Sequence, residues 1–493
     1  MRWKRRFGTA VVAAGFAVSP ISAADEAKGV PQELKRIVDA FVAISQESAD
    51  PVPTDVAFYQ GAIPGMLRTL DPHSVFFGPE QFSRLQELQD SERKGFGTIV
   101  NLLPGRVMVL QSIEGTPAAR AGLAGGDEIL AVNDIDVSYL EVDLLSQLLE
   151  MSRQKEVTLQ VLHAGERRPV EIKMSPQLIE EPTVDRAFKI TSGIGYVHVK
   201  AFESPTGQLV KAAIDKLGGE YLNGLILDLR GNPGGVVDAA IETASLFLAP
   251  DQLIFSTKGR KAVAQDVYVP TAARPYSFPM VVLMNGGSAS ASEIVAGALQ
   301  DHDRALVIGE PSYGKGLVQQ VMPLSGGTGM ALTVAFYYTP SGRSIQKQLT
   351  SGQLGAATKV SKGPYRSDAG RTLLGGGGIQ PDELMYPALL TPLQEVLDAS
   401  GSFLSFAGEY RRTHTVTGDA TVTTAILDEF RLFLVGRRIQ PDSVEWSEHR
   451  DWIVSRLQQE LLTLTYGVAR GDEVELHRDP VVQLALKRLS GLR

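Results

Sequence analysis

Residues 279–320, PMVVLMNGGSASASEIVAGALQDHDRALVIGEPSYGKGLVQQ, switch between two side-chain periods. Few folds accept a chain that does so. Val281–Met284 is a short apolar run, broken by Asn285, Gly286 and Gly287. Ser290–Leu299 then has helical spacing, with Ala291, Ile294, Ala298 and Leu299 on one side. The same alternation precedes it. GIGYVHVKAF reads as a strand, Pro205–Leu217 as a helix, GLILDLRG as a buried strand, GNPGG as a loop and Val236–Leu248 as a helix. Strand–helix–strand repeats predict βαβ units and a sheet with helices on its faces. Ligands in such sheets bind at loops beyond the strand ends, and GNPGG and the turn before Ser290 are such loops.

The chain is 493 residues long, enough for about three domains. The expectation is a multidomain α/β protein with its core at 178–400. Residues 25–92 carry amphipathic spacing, with Leu34, Ile37, Val38, Phe41 and Ile44 in one helix, a second around Val56–Leu70 and a third at Glu80–Leu88. Residues 93–177 have strand texture in KGFGTIVNL and RVMVLQSI, then GTPAARAGL, GDEIL, a helix at Asp143–Met151 and a hairpin from VTLQVLHAG and PVEIKM. This order resembles a PDZ domain in the circularly permuted form of bacterial proteases, inserted before the core. The resemblance makes Gly95, Phe96, Gly97 and Thr98 the loop that holds a peptide's terminal carboxylate. Glycines let main-chain N–H groups point at an anion, and the adjoining strand edge can pair with the peptide. After Lys315, LVQQVMPL, SGGTG and MALTVAFYYTPSG read as a β-hairpin. Residues 346–378 are rich in Gly, Ser and Lys and read as a long mobile insert. Residues 401–493 are helical, most clearly at Ser447–Tyr466 and after Asp479-Pro480.

Composition narrows the function. There are no cysteines, which removes disulfides and thiolate chemistry. The seven histidines are scattered without a metal-binding pair, and no metal, nucleotide or organic cofactor is expected. The formal charge is −8 with both signs interspersed, so nucleic acid is not an expected partner. Residues 1–24 read as an export signal: Arg2, Lys4, Arg5 and Arg6, an apolar core at Phe7–Val18, and small residues at Ser22-Ala23-Ala24. Arg5-Arg6 hints at a twin-arginine signal. The core falls short of the roughly 20 residues a membrane span needs. A periplasmic protein is expected, free or tethered through its start.

A serine at a helix start and a lysine in a glycine-flanked turn can form a hydrolytic pair. A serine hydroxyl is a poor nucleophile until a base takes its proton. A free lysine titrates near 10.4, and bringing one to neutrality by desolvation costs about 4 kcal/mol. Ser290 and Lys315 are the candidates. Val307, Ile308, Leu317 and Val318 are apolar around the lysine, and strand alternation puts Gln319 on its side. The Ala291 N–H, in the first helical turn, and the N–H of Gly234 or Gly235 could hold an oxyanion. A bland reading competes: Ser290 with Glu293 also fits a capping box, and a lysine in a turn is usually just solvated. Ser288 and Ser292 compete for the nucleophile's role, and His302 is the one histidine nearby in sequence.

SASASEIVAGALQD, GEPSYGKGLVQ, LDLRGNPGG, YYTPSGRSIQ and LDPHSVFFGPEQF together resemble the C-terminal processing peptidases, or tail-specific proteases, over roughly residues 30–400. The resemblance implies that the middle serine of SASAS, Ser290, is the nucleophile, with Lys315 the base and Gln319 assisting. It implies a crotonase-like or ClpP-like core and an exported endopeptidase that takes proteins with apolar C-termini. Dimerisation or larger self-assembly through flanking helices, and an adaptor or activator protein, are expected partners. The pattern departs from the family after Ile345, where 346–377 intervene before Gly378-Ile379-Gln380-Pro381-Asp382. Two other readings are a catalytically inactive PDZ scaffold and acyl-CoA chemistry on the same core.

Overall fold

A computed structural model describes residues 30–50, 52–90, 94–153, 155–179, 182–260, 264–347, 364–418 and 421–491, and counts of elements refer to these. The expected export signal lies outside them. The chain divides into two compact units, residues 1–69 and 70–493. In the first, α1 (Val30–Glu47) has the expected amphipathic spacing, and its Leu34, Ile37, Val38 and Ile44 are exposed. Phe41 packs on Phe58, with ring centroids 5.2 Å apart. The helix expected over Val56–Leu70 winds as a π-helix over Val56–Ala62 and then as α2 (Ile63–Arg68).

The second unit opens with β1 (Val75–Phe77) and α3 (Pro79–Asp90). A small domain follows: β2 (Lys94–Gly95), β3 (Thr98–Leu103), β4 (Arg106–Ser112), α4 (Pro117–Arg120), β5 (Glu128–Val132), β6 (Ile135–Asp136), α5 (Val142–Ser152), β7 (Val157–Leu162), β8 (Val170–Met174) and β9 (Gln177–Leu178). Six of its strands form one sheet in the order β3-β4-β5-β7-β8 with β6 on β5. Val107, Val109, Leu145, Leu159 and Val161 fill its core. The short β2 pairs with β9, closing the domain where it meets the rest of the chain.

The core contains β10 (Val184–Thr191), β11 (Ile194–Val199), α6 (Thr206–Leu217), β12 (Gly224–Asp228), α7 (Val237–Ser245), β13 (Leu253–Lys258), β14 (Gln265–Tyr268), β15 (Met280–Met284), α8 (Ala291–Asp301), β16 (Leu306–Gly309), β17 (Leu317–Pro323), β18 (Gly329–Tyr338), β19 (Tyr365–Arg366), β20 (Thr372–Leu373) and β21 (Glu383–Leu384). The central sheet runs β10-β11-β12-β15-β16-β21, parallel from β11 onward. A second, antiparallel sheet runs β1-β18-β13-β14, with β17 on β18 as the expected hairpin. Residues 70–90 belong to this unit: β1 pairs with β18, and Phe82 is buried where a side chain at Gly329 would meet its ring.

β12 and β15 are buried along their whole length, and their alternate residues serve two faces. Leu225, Leu227, Val282 and Val307 face α6, α7 and α8, while Ile226, Val281, Leu283 and Ile308 face the far side. Because β12, β15 and β16 are adjacent and parallel, the loops that leave them emerge side by side at one sheet edge. Those loops are 229–236, 285–290 and 310–316.

The tail holds α9 (Pro392–Ala399), α10 (Ser402–Thr413), α11 (Thr424–Gly436), α12 (Ser443–Glu448), α13 (Arg450–Tyr466), α14 (Val468–Leu476) and α15 (Pro480–Gly491). The helix expected over Ser447–Tyr466 breaks at His449. α15 covers the far side of the central sheet through Val481, Val482, Ala485 and Leu489. Other tail helices pack on the small domain: Leu404, Ala407, Leu461 and Leu464 meet Met108. Of the expected mobile insert, residues 348–363 lie outside the described residues. Residues 364–378 make a β19–β20 hairpin that caps the C-terminus of α8, taking the Asp301 and Gln300 carbonyls with the Asp368 N–H and Arg371. The described residues contain no helix long and apolar enough to cross a membrane.

Candidate active site

The turn from β15 into α8 is wound by its own polar side chains. Asn285 Oδ1 accepts the Gly231 and Gly287 N–H groups at 2.8 and 3.0 Å. Two of the three SASAS serines are consumed in this scaffold. Ser288 and Ser292 are both fully buried. Ser288 Oγ donates to the Leu229 carbonyl at 2.8 Å, and Ser292 Oγ to the Asn232 carbonyl at 3.0 Å. Ser290 is only half-buried. Its backbone sits at φ 53° and ψ −111°, a left-handed conformation that costs a non-glycine residue about 1–3 kcal/mol.

Ser290 is the N-cap of α8, and its expected capping-box partner Glu293 does more than cap. The Glu293 carboxyl is fully buried and accepts four hydrogen bonds. Oε2 takes the Ser290 N–H at 2.8 Å and the Lys315 N–H at 2.9 Å. Oε1 takes the Ser312 hydroxyl at 2.5 Å and the Gly314 N–H at 2.8 Å. One oxygen atom thus binds the main chain of both candidate residues, whose nitrogens are at most about 6 Å apart. Burial pushes the Glu293 carboxyl up, and the four donated bonds oppose this without cancelling it. Ser312 also accepts the Ile379 N–H at 2.6 Å, so the GI-PD segment is tied to the same carboxylate.

Lys315 precedes β17 and is half-buried. Its loop is fixed on both sides, since Gly316 donates to Gln346 Oε1 at 2.9 Å and Gly314 accepts from the Lys347 N–H at 3.0 Å. Lys315 stands two residues before β17 begins, so strand alternation alone does not relate it to Gln319. Gln319 Nε2 instead donates to the His73 carbonyl at 2.8 Å. His302 lies at the opposite end of α8, about 16 Å away along the axis, bonded to Asp368 and to the Leu253 carbonyl.

The GNPGG loop lies against the serine turn. Asn232 is fully buried, and its carbonyl accepts the Ala289 N–H at 3.0 Å. A Cβ on Gly234 would stand 2.8 Å from Ser290 Cβ and 3.0 Å from the Ala291 nitrogen, so only glycine allows this approach. The Gly234 N–H is taken by Asn232 Oδ1 at 2.9 Å. Gly235 bridges to Phe202. Below the loop, Arg230 binds Asp228 and Asp479, and Tyr196 donates to Asp228 at 2.7 Å. Burial works against the Arg230 cation, but the two carboxylates outweigh it and hold its pKa up.

In the small domain, the Phe96 and Gly97 carbonyls accept the Ala118 and Ile113 N–H groups, at 2.9 and 2.8 Å. Gly97 has φ 76°, and Thr98 opens β3, which ends its sheet. Among the described residues no group of acidic and histidine side chains could hold a metal ion.

Residues 193–354 match the model of peptidase family S41, and residues 84–174 that of the PDZ domain. A carboxy-terminal-processing protease of Bartonella bacilliformis is 37% identical over 326 residues, which is 64% of this chain and 73% of that protein. The carboxy-terminal processing protease CtpA of Bacillus subtilis is 30% identical over 383 residues, 76% of this chain and 81% of that one. The chain belongs to the carboxy-terminal processing protease family. It is a protease with the S41 fold, a PDZ domain and helical regions. Among solved structures, the photosystem II D1 C-terminal processing protease aligns at 25% identity and TM-score 0.42, over 72% of this chain and 87% of that one.

In the sequence, Glu293 is marked only as a cap. Its SxxE spacing was visible, but its bonds to residues 312–315 are long-range and leave no local trace. Local spacing likewise leaves Asn232 and the Asp71–Ser74 turn unmarked, because their partners Ala289, Ser292, Gln319 and Thr333 are distant in sequence.

Proposed function

We propose that this chain is an exported serine endopeptidase that recognises protein C-termini through its PDZ domain and cuts with a Ser290–Lys315 dyad. The observation that carries the reading is the shared oxygen of Glu293, which holds both residues' backbones together in a buried frame. The accessibility of Ser290, beside two consumed serines, supports its choice as nucleophile.

In this reading Lys315 Nζ takes the proton as Ser290 Oγ attacks the scissile carbonyl. The protonated lysine then gives that proton to the leaving amine, and water hydrolyses the acyl-enzyme. The Ala291 N–H and a GNPGG amide stabilise the oxyanion. Because Asn232 already engages Gly234, Gly235 is the better second donor. Gln319 steadies the lysine. A substrate tail adds to the free edge of β3 near Gly95–Thr98. The core is read as crotonase-like or ClpP-like. Export rests on the basic and apolar pattern of residues 2–24. Self-association and an adaptor or activator belong to the same reading.

The test is digestion of an unfolded protein with a small apolar C-terminus, followed by mass spectrometry. Ser290→Ala and Lys315→Ala should each cut at least about a thousandfold more slowly. A charged substrate tail should slow the wild type. Equal cutting by all three proteins would place the nucleophile elsewhere.

A further inference from the structure

LDPHS lies some 220 residues before the proposed dyad, yet it is bonded to Thr333 and to Gln319. Asp71 is almost fully buried. Its Oδ1 accepts the His73 and Ser74 N–H groups at 2.7 and 2.8 Å, and its Oδ2 accepts the Ser74 hydroxyl at 2.7 Å. This is an Asx turn closed by three bonds. It is anchored to the antiparallel sheet. On one edge of β18, β1 pairs with 329–331 and β13 with 336–338. In the gap between them Ser74 Oγ accepts the Thr333 N–H at 3.2 Å.

On the opposite edge of β18, Gln319 pairs with the same Thr333. Its side chain spans β18 to reach the His73 carbonyl at 2.8 Å. A carbonyl only accepts, so the amide's NH2 must face His73. Oε1 is then fixed on the other branch, free to accept an N–H from an amine.

We propose that Asp71 is a positioning residue for the peptidase reaction: it fixes the His73 carbonyl, which turns the Gln319 amide so that Oε1 faces the Lys315 side. With Oε1 accepting an amine N–H, the lysine lone pair is directed at the Ser290 hydroxyl. Without the His73 tether the amide can turn over and present NH2 to the base instead. This rests on the reading of Ser290, Lys315 and Gln319 given above.

The test is a double-mutant cycle on the full chain, with kcat and KM measured well below every variant's melting temperature. Gln319→Ala and Asp71→Ala should each lower kcat about tenfold to a hundredfold with KM unchanged. The double variant should be no slower than Gln319→Ala, because both changes remove one effect. Asp71→Asn should keep most of the wild-type kcat, since its amide oxygen still accepts both N–H groups. Should Asp71→Ala fold poorly, Ser74→Ala takes its place: a smaller fall in kcat, absent in the Gln319→Ala background. Multiplying losses in the double variant, or a loss confined to KM or melting temperature, would overturn the proposal. Wild-type kcat for Gln319→Ala beside dead Ser290→Ala and Lys315→Ala would sink it and leave the dyad standing. Wild-type activity in all three would sink the functional reading itself.

Discussion

Glu293 shows how one buried side chain can tie together the two residues proposed to act in catalysis. Its two oxygens face four donors, a set that only a carboxylate satisfies fully. Glu293→Gln keeps the shape but turns an NH2 toward two of those donors. The Ser312 hydroxyl can rotate to accept, but at least one main-chain N–H is left facing a donor. An unsatisfied buried group costs about 1–3 kcal/mol. Glu293→Gln should therefore melt below wild type, and kcat should fall about tenfold or more as Ser290 and Lys315 drift apart. Differential scanning calorimetry with steady-state kinetics checks this; wild-type kcat with a lowered melting point would reduce Glu293 to a cap. At this scale the sequence was legible where chemistry is local. The spacing from Ser290 to Glu293 gave the cap, and glycines marked the close approaches. It could not separate Ser288, Ser290 and Ser292, because their difference lies in the Leu229 and Asn232 carbonyls, which arrive from another strand.

Among elements, the parallel strands were readable because β12 and β15 are apolar on both faces and glycine loops punctuate them. What escaped is register. The irregularity opposite Val318 and Gln319, where β18 carries one residue more than β17, has no compositional mark. The 346–378 stretch looked mobile because Gly and Ser dominate it, yet Arg371 reaches Asp303 and Asp382 and pins residues 364–378 to α8. β11 carries a further hidden feature. His198 bonds Asp185 at 2.5 Å and the Arg230 carbonyl at 3.2 Å. Burial works against its cation, but Asp185 and Asp228 outweigh that and raise its pKa above the usual 6.5. A raised value means the folded state holds the proton more tightly. The stabilisation is then complete below about pH 6.5 and disappears as pH climbs through the folded value. His198→Gln should accordingly melt lower than wild type at pH 6, by an amount worth about 1–2 kcal/mol, and close to wild type at pH 9. A gap that stays constant, or widens with pH, would show that His198 stays neutral.

At the scale of the molecule, the tail changes meaning. Its helical spacing alone suggested an appendage for self-association, since nothing in residues 401–493 names their partner. In the fold, α15 is the second layer of the central sheet. Leu489 is fully buried against Gly224 of β12, among Ile226, Val281 and Leu283. Asp479 starts that helix by capping the Val481 N–H at 2.8 Å and, through its other oxygen, holds Arg230 just before the GNPGG loop. The last helix and the proposed oxyanion loop are therefore parts of one packed structure. Truncating a buried leucine to alanine costs about 2–5 kcal/mol, a large share of the 5–15 kcal/mol by which proteins are stable. Leu489→Ala should lower the melting temperature by several degrees and speed proteolysis of the core. Leu432 on α11, 72% exposed, supplies the control: Leu432→Ala should stay within about 0.5 kcal/mol of wild type. If the two variants melted alike, α15 would be peripheral and the core would close without it. If only Leu489→Ala melted early, the tail would be shown to hold the sheet whatever further role it has in assembly, and removing residues 480–493 should leave no folded protease.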